Sequence, residues 1–169
     1  SGVPGTVDGM IVALERFGNL PMDVVLEPAI RLAREGFHLS WREATALNRN
    51  RPRFAHFKSS TKYFTKPEGQ EFKEGELFIQ EDLAKTLERI AQQGRDGFYA
   101  GETADLIVAE MQENGGIFTH EDLQNYRSVW RTPLVVTYKD YELLIMPPPS
   151  SGGIALGQML KMVEPYDLP

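Results

Sequence analysis

Near the end of the chain, Met146-Pro147-Pro148-Pro149-Ser150-Ser151-Gly152-Gly153 restricts the fold more than any other stretch. An apolar run from Leu134 to Ile145 leads into it, and a helical pattern from Ile154 to Val163 follows. Consecutive prolines fix φ and remove backbone donors, so a strand must end here. Ser150 or Ser151 can cap the following helix by accepting from its free N–H groups. Gly152 and Gly153 allow backbone to approach backbone or a ligand. A strand, a rigid corner, a cap and a helix in this order place the meeting of two layers at residues 146–153.

Upstream of the corner the period of the apolar residues separates two regions. Val7, Met10, Ile11, Leu14 and Phe17 form one stripe of a helix from about Thr6 to Phe17, with Gly18 expected as its left-handed stop. Pro21 opens a second helix, about Met22 to Arg34, with Val25, Ala29 and Leu32 inward, Pro28 as a bend and Gly36 as the stop. Ser40-Trp41-Arg42-Glu43 reads as a capping box for a helix to about Asn50. Periodicity is lost over 51–78, which predicts a long loop. Leu83, Leu87, Ile90 and Ala91 define a helix ended by Gly94, and 97–101 is a connector. Ala104, Ile107, Val108 and Met111 define another, ended at Asn114. Thr119 with Asp122 starts a short helix, about His120 to Asn125.

The period then falls from 3.6 to 2. Leu134–Tyr138 and Tyr141–Met146, separated by Lys139-Asp140, predict a two-residue hairpin with Asp140 in the left-handed conformation. Its register pairs Tyr138 with Tyr141, Val136 with Leu143 and Leu134 with Ile145. One face is wholly apolar; the other carries Val135, Leu144 and Met146 beside Thr137 and Glu142. Strands apolar on both faces require cover on both sides. The class is α+β: a mostly helical region, 1–126, and a hairpin, proline corner and helix, 127–169, together one incomplete domain.

Composition narrows the function classes. With 169 residues, 41% hydrophobic and 25% charged, the chain reads as globular, and it holds no apolar run of membrane-spanning length. No cysteine is present, which removes disulfides and thiolate chemistry. The N-terminus lacks the basic start of a signal peptide and carries an aspartate at position 8. A net charge of −6 disfavours nucleic acid as a partner. The exception is 49–66, where Arg49, Arg51, Arg53, Lys58, Lys62 and Lys66 alternate with Phe54, Phe57, Tyr63 and Phe64. Such a pattern can bind single strands; packing against acidic neighbours is the simpler reading.

Ser150 and Ser151 invite a nucleophile reading with His38, His56 or His120 as base. A serine nucleophile needs a base within reach and a group to orient it, and the motif lacks the Gly-x-Ser-x-Gly elbow. The serines therefore read as cap and corner. The three histidines lack the spacing of a metal motif. Glu81-Asp82 and Glu121-Asp122 fall in first helical turns, where negative charge offsets the helix dipole. Pro147–Pro149 could serve as a polyproline ligand, but its position between apolar elements favours burial. Gly2-Val3-Pro4-Gly5 lacks the lysine of a phosphate loop. No residue is assigned to catalysis, a cofactor or a metal.

The corner motif, with Glu164-Pro165-Tyr166-Asp167-Leu168 after its helix, resembles the large subunit of the γ-glutamyltranspeptidases. Ser1-Gly2-Val3-Pro4-Gly5-Thr6-Val7-Asp8-Gly9, Phe17-Gly18-Asn19-Leu20-Pro21, 28–37 and Asn114-Gly115-Gly116 are similar to further segments of that family, in the same order and from end to end. The resemblance implies the middle of a larger precursor, an αββα N-terminal-nucleophile fold, and partnership with a small subunit released by self-cleavage. It implies cleavage of γ-glutamyl amides such as glutathione by a threonine lying after this segment in a Thr-Thr-His run. It also implies a carboxylate-binding arginine before it, no cofactor, and a periplasmic or extracellular location. It transfers no catalytic residue to this sequence. The alternatives are a related acylase, or a non-enzymatic binding module using 49–66 or Pro147–Pro149. Uncovered strand faces predict self-association of the isolated segment.

Overall fold

The structure is a computed structural model that describes residues 2–167. The chain forms two compact units, Ser1–Ser128 and Val129–Pro169. In the first, α1 (Thr6–Phe17) precedes α2 (Met22–Glu35), which packs along α5 (Glu81–Gln93). Ile11 is buried as the α1 stripe requires, while Met10 and Phe17 remain exposed. On α2 the sheltered face is Met22, Leu26, Ile30 and Ala33. The expected inward set fails there, because Val25 and Leu32 are exposed. This helix is apolar on two sides, and periodicity alone cannot say which side meets α5. Gly18 is also not left-handed: its φ is −77° and ψ 152°. Its N–H still donates to Leu14 O at 2.7 Å. A Cβ there would overlap Leu14, so glycine serves for space rather than handedness. Gly36, at φ 84°, is a positive-φ stop.

The strands β1 (Phe37–His38) and β2 (Leu77–Phe78) pair antiparallel, Phe37 opposite Phe78. They bring Phe78 to Leu39 and Ala44, with Leu47, Phe64 and Phe72 around them. The capping box opens α3 (Trp41–Phe54): Glu43 N donates to Ser40 Oγ at 3.3 Å, and Ser40 N donates to the Glu43 carboxylate at 2.8 Å. The 51–78 stretch departs from the loop expectation. α3 continues to Phe54 with Pro52 inside it, and α4 (Lys58–Phe64) and a 3-10 turn, Pro67–Gly69, follow. No apolar stripe announces α4, because side-chain bonds hold it. Ser59 Oγ donates to Glu110 at 2.7 Å, and Thr61 Oγ1 donates to Phe54 O at 3.0 Å. Asn48 fixes the return of the chain by donating to Phe72 O and accepting from Phe72 N, each at 2.9 Å.

The expected connector at 97–101 contains a single turn, α6 (Asp96–Tyr99), before α7 (Gly101–Glu113) and α8 (His120–Asn125). A Cβ on Gly97 would overlap Arg89 O, so the turn needs glycine to lie against α5. Tyr99, Ala104, Val108 and Leu123 form the central core of this unit, with Val3, Val7, Phe98, Ile107 and Tyr126 around it.

In the second unit β3 (Leu134–Tyr138) and β4 (Tyr141–Ile145) pair antiparallel in the expected register, Val136 opposite Leu143. The left-handed residue of the turn is Lys139, at φ 50°, and not Asp140. Both primed hairpin turns place positive φ on the first loop residue, which overrides the aspartate preference. Lys139 N donates to Glu164 at 2.9 Å, tying the turn to the end of α9 (Ser151–Val163). Helix α9 packs on the wholly apolar face of the hairpin, where Ile145 is buried and Tyr141 stays exposed, and a Cβ on Gly157 would meet Val136 Cγ2 at 3.1 Å. On the opposite face Val135, Leu144 and Met146 are 57, 69 and 68% exposed.

Candidate functional site

At the corner the serines do what their neighbours dictate. Ser150 Oγ accepts from Gly152 N at 3.4 Å and caps α9. Gly153 is the position where backbone meets backbone: a Cβ there would overlap Met146 O and lie 3.0 Å from Met146 C. Gly152 has only Ser150 Oγ nearby, at 3.6 Å. The unit that carries Ser150 and Ser151 contains no histidine. Within that unit the corner is a packing joint without an imidazole base.

Two of the histidines have ordinary partners. His38 Nδ1 lies 2.8 Å from Gly75 O, and His120 Nε2 lies 2.9 Å from the exposed Asp105 carboxylate. Among the described residues no group of three or more His, Cys, Asp or Glu is arranged to hold a metal ion. Asp122 accepts from Thr119 N at 2.9 Å in a second capping box. Asp82 gathers the Tyr63 hydroxyl at 2.6 Å and Lys62 Nζ at 3.2 Å. The Tyr63 hydrogen bond, with the bond and charge of Lys62, holds this carboxyl down at about 2.

The basic segment is matched by acids of the same chain. Lys58 pairs with Glu113 at 2.9 Å, Lys62 with Asp82, and Lys66 with Glu76 at 2.7 Å. Arg51 donates to Gly69 O at 2.6 Å. Phe54 and Phe64 pack on each other, with ring centroids 5.2 Å apart. These surface pairs tie 49–66 to α5, α7 and Glu76, while Arg49, Arg51, Arg53, Phe57, Lys58, Lys62 and Tyr63 remain exposed.

The most enclosed polar constellation escaped the sequence reading. Asp8 is 2% exposed on the inner side of α1. Its carboxylate accepts from Arg95 Nε at 3.0 Å and from Ser128 N at 2.6 Å, while its backbone N–H donates to Tyr99 Oη at 3.2 Å. Tyr99 Oη in turn donates to Pro4 O at 2.6 Å. Arg95 Nη2 reaches Leu123 O, Gln124 O and Tyr126 O at 3.2, 3.1 and 2.6 Å. The guanidinium lies 4.5 Å from the Tyr99 ring centroid, and Tyr99 stacks on Tyr126. Burial pushes Asp8 up, but the hydrogen bond from Ser128 N and the bond and charge of Arg95 outweigh it. The carboxyl stays below its usual range. A charged residue inside an apolar stripe, between Val7 and Ile11, was the available signal. The arrangement binds backbone and leaves no nucleophile or base poised on a cavity.

A family model described as gamma-glutamyltranspeptidase matches residues 1–169. The chain belongs to the γ-glutamyltranspeptidase family. It is 42% identical to the glutathione hydrolase proenzyme of Escherichia coli (strain K12) over 168 residues, 99% of this chain and 29% of that protein. It is similar to the crystal structure of the Helicobacter pylori γ-glutamyltranspeptidase, at 46% identity and a TM-score of 0.95, covering 99% of this chain and 48% of that one. It is also similar to the cephalosporin acylase of Bacillus halodurans, at 31% identity and a TM-score of 0.89, covering 98% of this chain and 32% of that one. The chain thus spans under a third of the E. coli relative and about half of the H. pylori chain. Its α+β architecture is that of N-terminal-nucleophile γ-glutamyltranspeptidases and acylases. Among the described residues no helix is long and apolar enough to cross a membrane.

Proposed function

We propose that this chain is an internal scaffold segment of the large subunit of a γ-glutamyl transferase/hydrolase. The near end-to-end likeness to the H. pylori γ-glutamyltranspeptidase carries the reading. In this proposal the precursor cleaves itself, and a threonine outside 1–169 becomes the N-terminus of the small subunit. Its hydroxyl attacks the γ-glutamyl carbonyl while its own α-amine takes the proton, and positioned donors hold the oxyanion. The amide C–N bond breaks as the α-amine passes the proton to the departing amine, and the acyl group held as a threonine ester then passes to water or to an acceptor amine, with a γ-glutamyl peptide such as glutathione as substrate. Residues 1–169 supply no catalytic group: Ser150 caps a helix, and its unit has no histidine. The helical unit and the hairpin unit supply framework for the small subunit, and the whole enzyme works in the periplasm or outside the cell, a reading supported by family resemblance.

The likeness to a cephalosporin acylase favours a second substrate class on the same scaffold. A binding module built on 49–66 is not favoured, because three of its lysines are engaged by Glu113, Asp82 and Glu76. The test assays residues 1–169 alone, then the longest reading frame containing them, on a γ-glutamyl anilide and on a cephalosporin amide. Turnover of the anilide only by the self-cleaved longer protein is expected. Turnover by residues 1–169 that is lost in Ser150→Ala or Ser151→Ala overturns the proposal. Preference for the cephalosporin amide selects the acylase reading.

A further inference from the structure

The chain from Tyr126 to Pro133 has no regular secondary structure. Locally, Tyr126 N donates to Leu123 O at 3.3 Å and Arg127 Nη1 donates to Gln124 O and Tyr126 O at 2.7 and 2.6 Å; the bonds that tie these residues to α1 and the N-cap of α6 come from far away in sequence. Ser128 N donates to Asp8, 120 residues distant, and Tyr126 O accepts from Arg95, 31 residues distant. One guanidinium also holds Leu123 O and Gln124 O at the end of α8. The helices satisfy most of their own backbone groups through i to i−4 bonds; here one buried ion pair adds a bond to each of three carbonyls and binds one N–H, that of Ser128.

We propose that Asp8–Arg95 is a latch: while it is closed, residues 126–128 are fixed to the helical unit, and its opening frees them without melting a helix. Sub-global openings of this kind occur where few backbone bonds must break together. The latch sits at the end of the helical unit, next to the boundary at Val129, and residues 129–133 beyond it are already exposed. Asp8 is the member to perturb, because Arg95 also stacks on Tyr99 in the core. In Asp8→Asn the shape is kept, but both carboxylate oxygens face N–H donors, from Arg95 and Ser128. The amide's NH2 group must then oppose one of them.

The test is limited trypsin digestion of residues 1–169, followed by mass spectrometry at early times. Arg127 lies inside the latched segment; Arg131 lies beyond it and serves as an internal control. In Asp8→Asn, cleavage after Arg127 should rise about tenfold or more, the effect of losing one charge-assisted bond. Cleavage after Arg131 should be unchanged. Amide exchange should rise at Tyr126 and Ser128 and stay unchanged at Ala84 and Ile90 of α5. Arg95→Lys, which keeps the charge but loses the guanidinium fork, should show the same local pattern. Cleavage after Arg127 that is no faster in either variant overturns the latch. Exchange that rises equally in α5 also overturns it, because the pair would then be ordinary core packing.

Discussion

Gly152 and Gly153 are adjacent in one helical turn, yet they should respond oppositely to a methyl group. At Gly152 an alanine Cβ meets only Ser150 Oγ, at 3.6 Å, an ordinary contact. Alanine is favoured over glycine in a helix by about 1 kcal/mol, less in a first turn, so Gly152→Ala should be neutral or stabilise by about 0.5 kcal/mol. At Gly153 the Cβ would overlap Met146 O and sit 3.0 Å from Met146 C and 3.1 Å from Met146 N. All three are backbone atoms of the residue just past β4, so no side chain can swing aside. Restoring an ordinary carbon–oxygen approach requires a backbone shift of roughly 1 Å. Shifts of that kind cost about 1–3 kcal/mol, more than the helical preference returns. The second unit should therefore lose about 2 kcal/mol in Gly153→Ala. Each unit carries one tryptophan, Trp41 in the first and Trp130 in the second. Urea unfolding followed by fluorescence in a Trp41→Phe background reports the second unit. Equal midpoints for the two alanine variants would refute the account of the corner as a backbone-to-backbone joint.

Ser40→Ala removes the Oγ acceptor of the capping box, leaving the bond from the backbone N–H of residue 40 to Glu43, and should destabilise the first unit by about 1 kcal/mol, measured by chemical denaturation. Leu123, fully buried in the central core, should lose about 3 kcal/mol on Leu123→Ala, seen as a lower urea midpoint in the same measurement. The Asp82 carboxyl should titrate by NMR near pH 2, and Tyr63→Phe should return it toward 3.8. Because its folded pKa is depressed, the contribution of this cluster is complete above about pH 4 and fades as pH falls through about 2. The exposed face of Val135, Leu144 and Met146 should make residues 1–169 self-associate or bind dyes specific for apolar surface; replacing Leu144 by lysine should weaken both, read by light scattering and fluorescence.

Local rules carried the hairpin and the caps because their physics is local. Strand alternation around Lys139-Asp140 sufficed for the register, and Ser40 with Glu43 sufficed for the cap. Position within the turn defeated the preference of Asp140, which is a statement about residue type and not about twist. On α2 both sides are apolar, so the choice of Met22, Leu26, Ile30 and Ala33 was made by α5 and not by the pattern. Helix α4 stayed hidden because serine and threonine hold it through bonds to distant groups, which leave no stripe. The Asp8–Arg95–Ser128 cluster stayed hidden for the same reason: its partners are far apart in sequence, and nothing near Asp8 names them.

The 120-residue separation between Asp8 and Ser128 bears on the order in which the chain acquires its structure. Closing a loop of that length in a disordered chain costs about 4 kcal/mol from the (3/2)RT ln n dependence alone. One charge-assisted bond returns only about 1.5–3 kcal/mol. This contact therefore cannot nucleate folding. It must wait until α1 to α8 have formed and packed, when the effective loop is already short. Its loss should accelerate unfolding and leave the folding rate nearly unchanged, as for interactions absent from the transition state. The carboxylate that joins the beginning of the helical unit to its end is thus among the last bonds made.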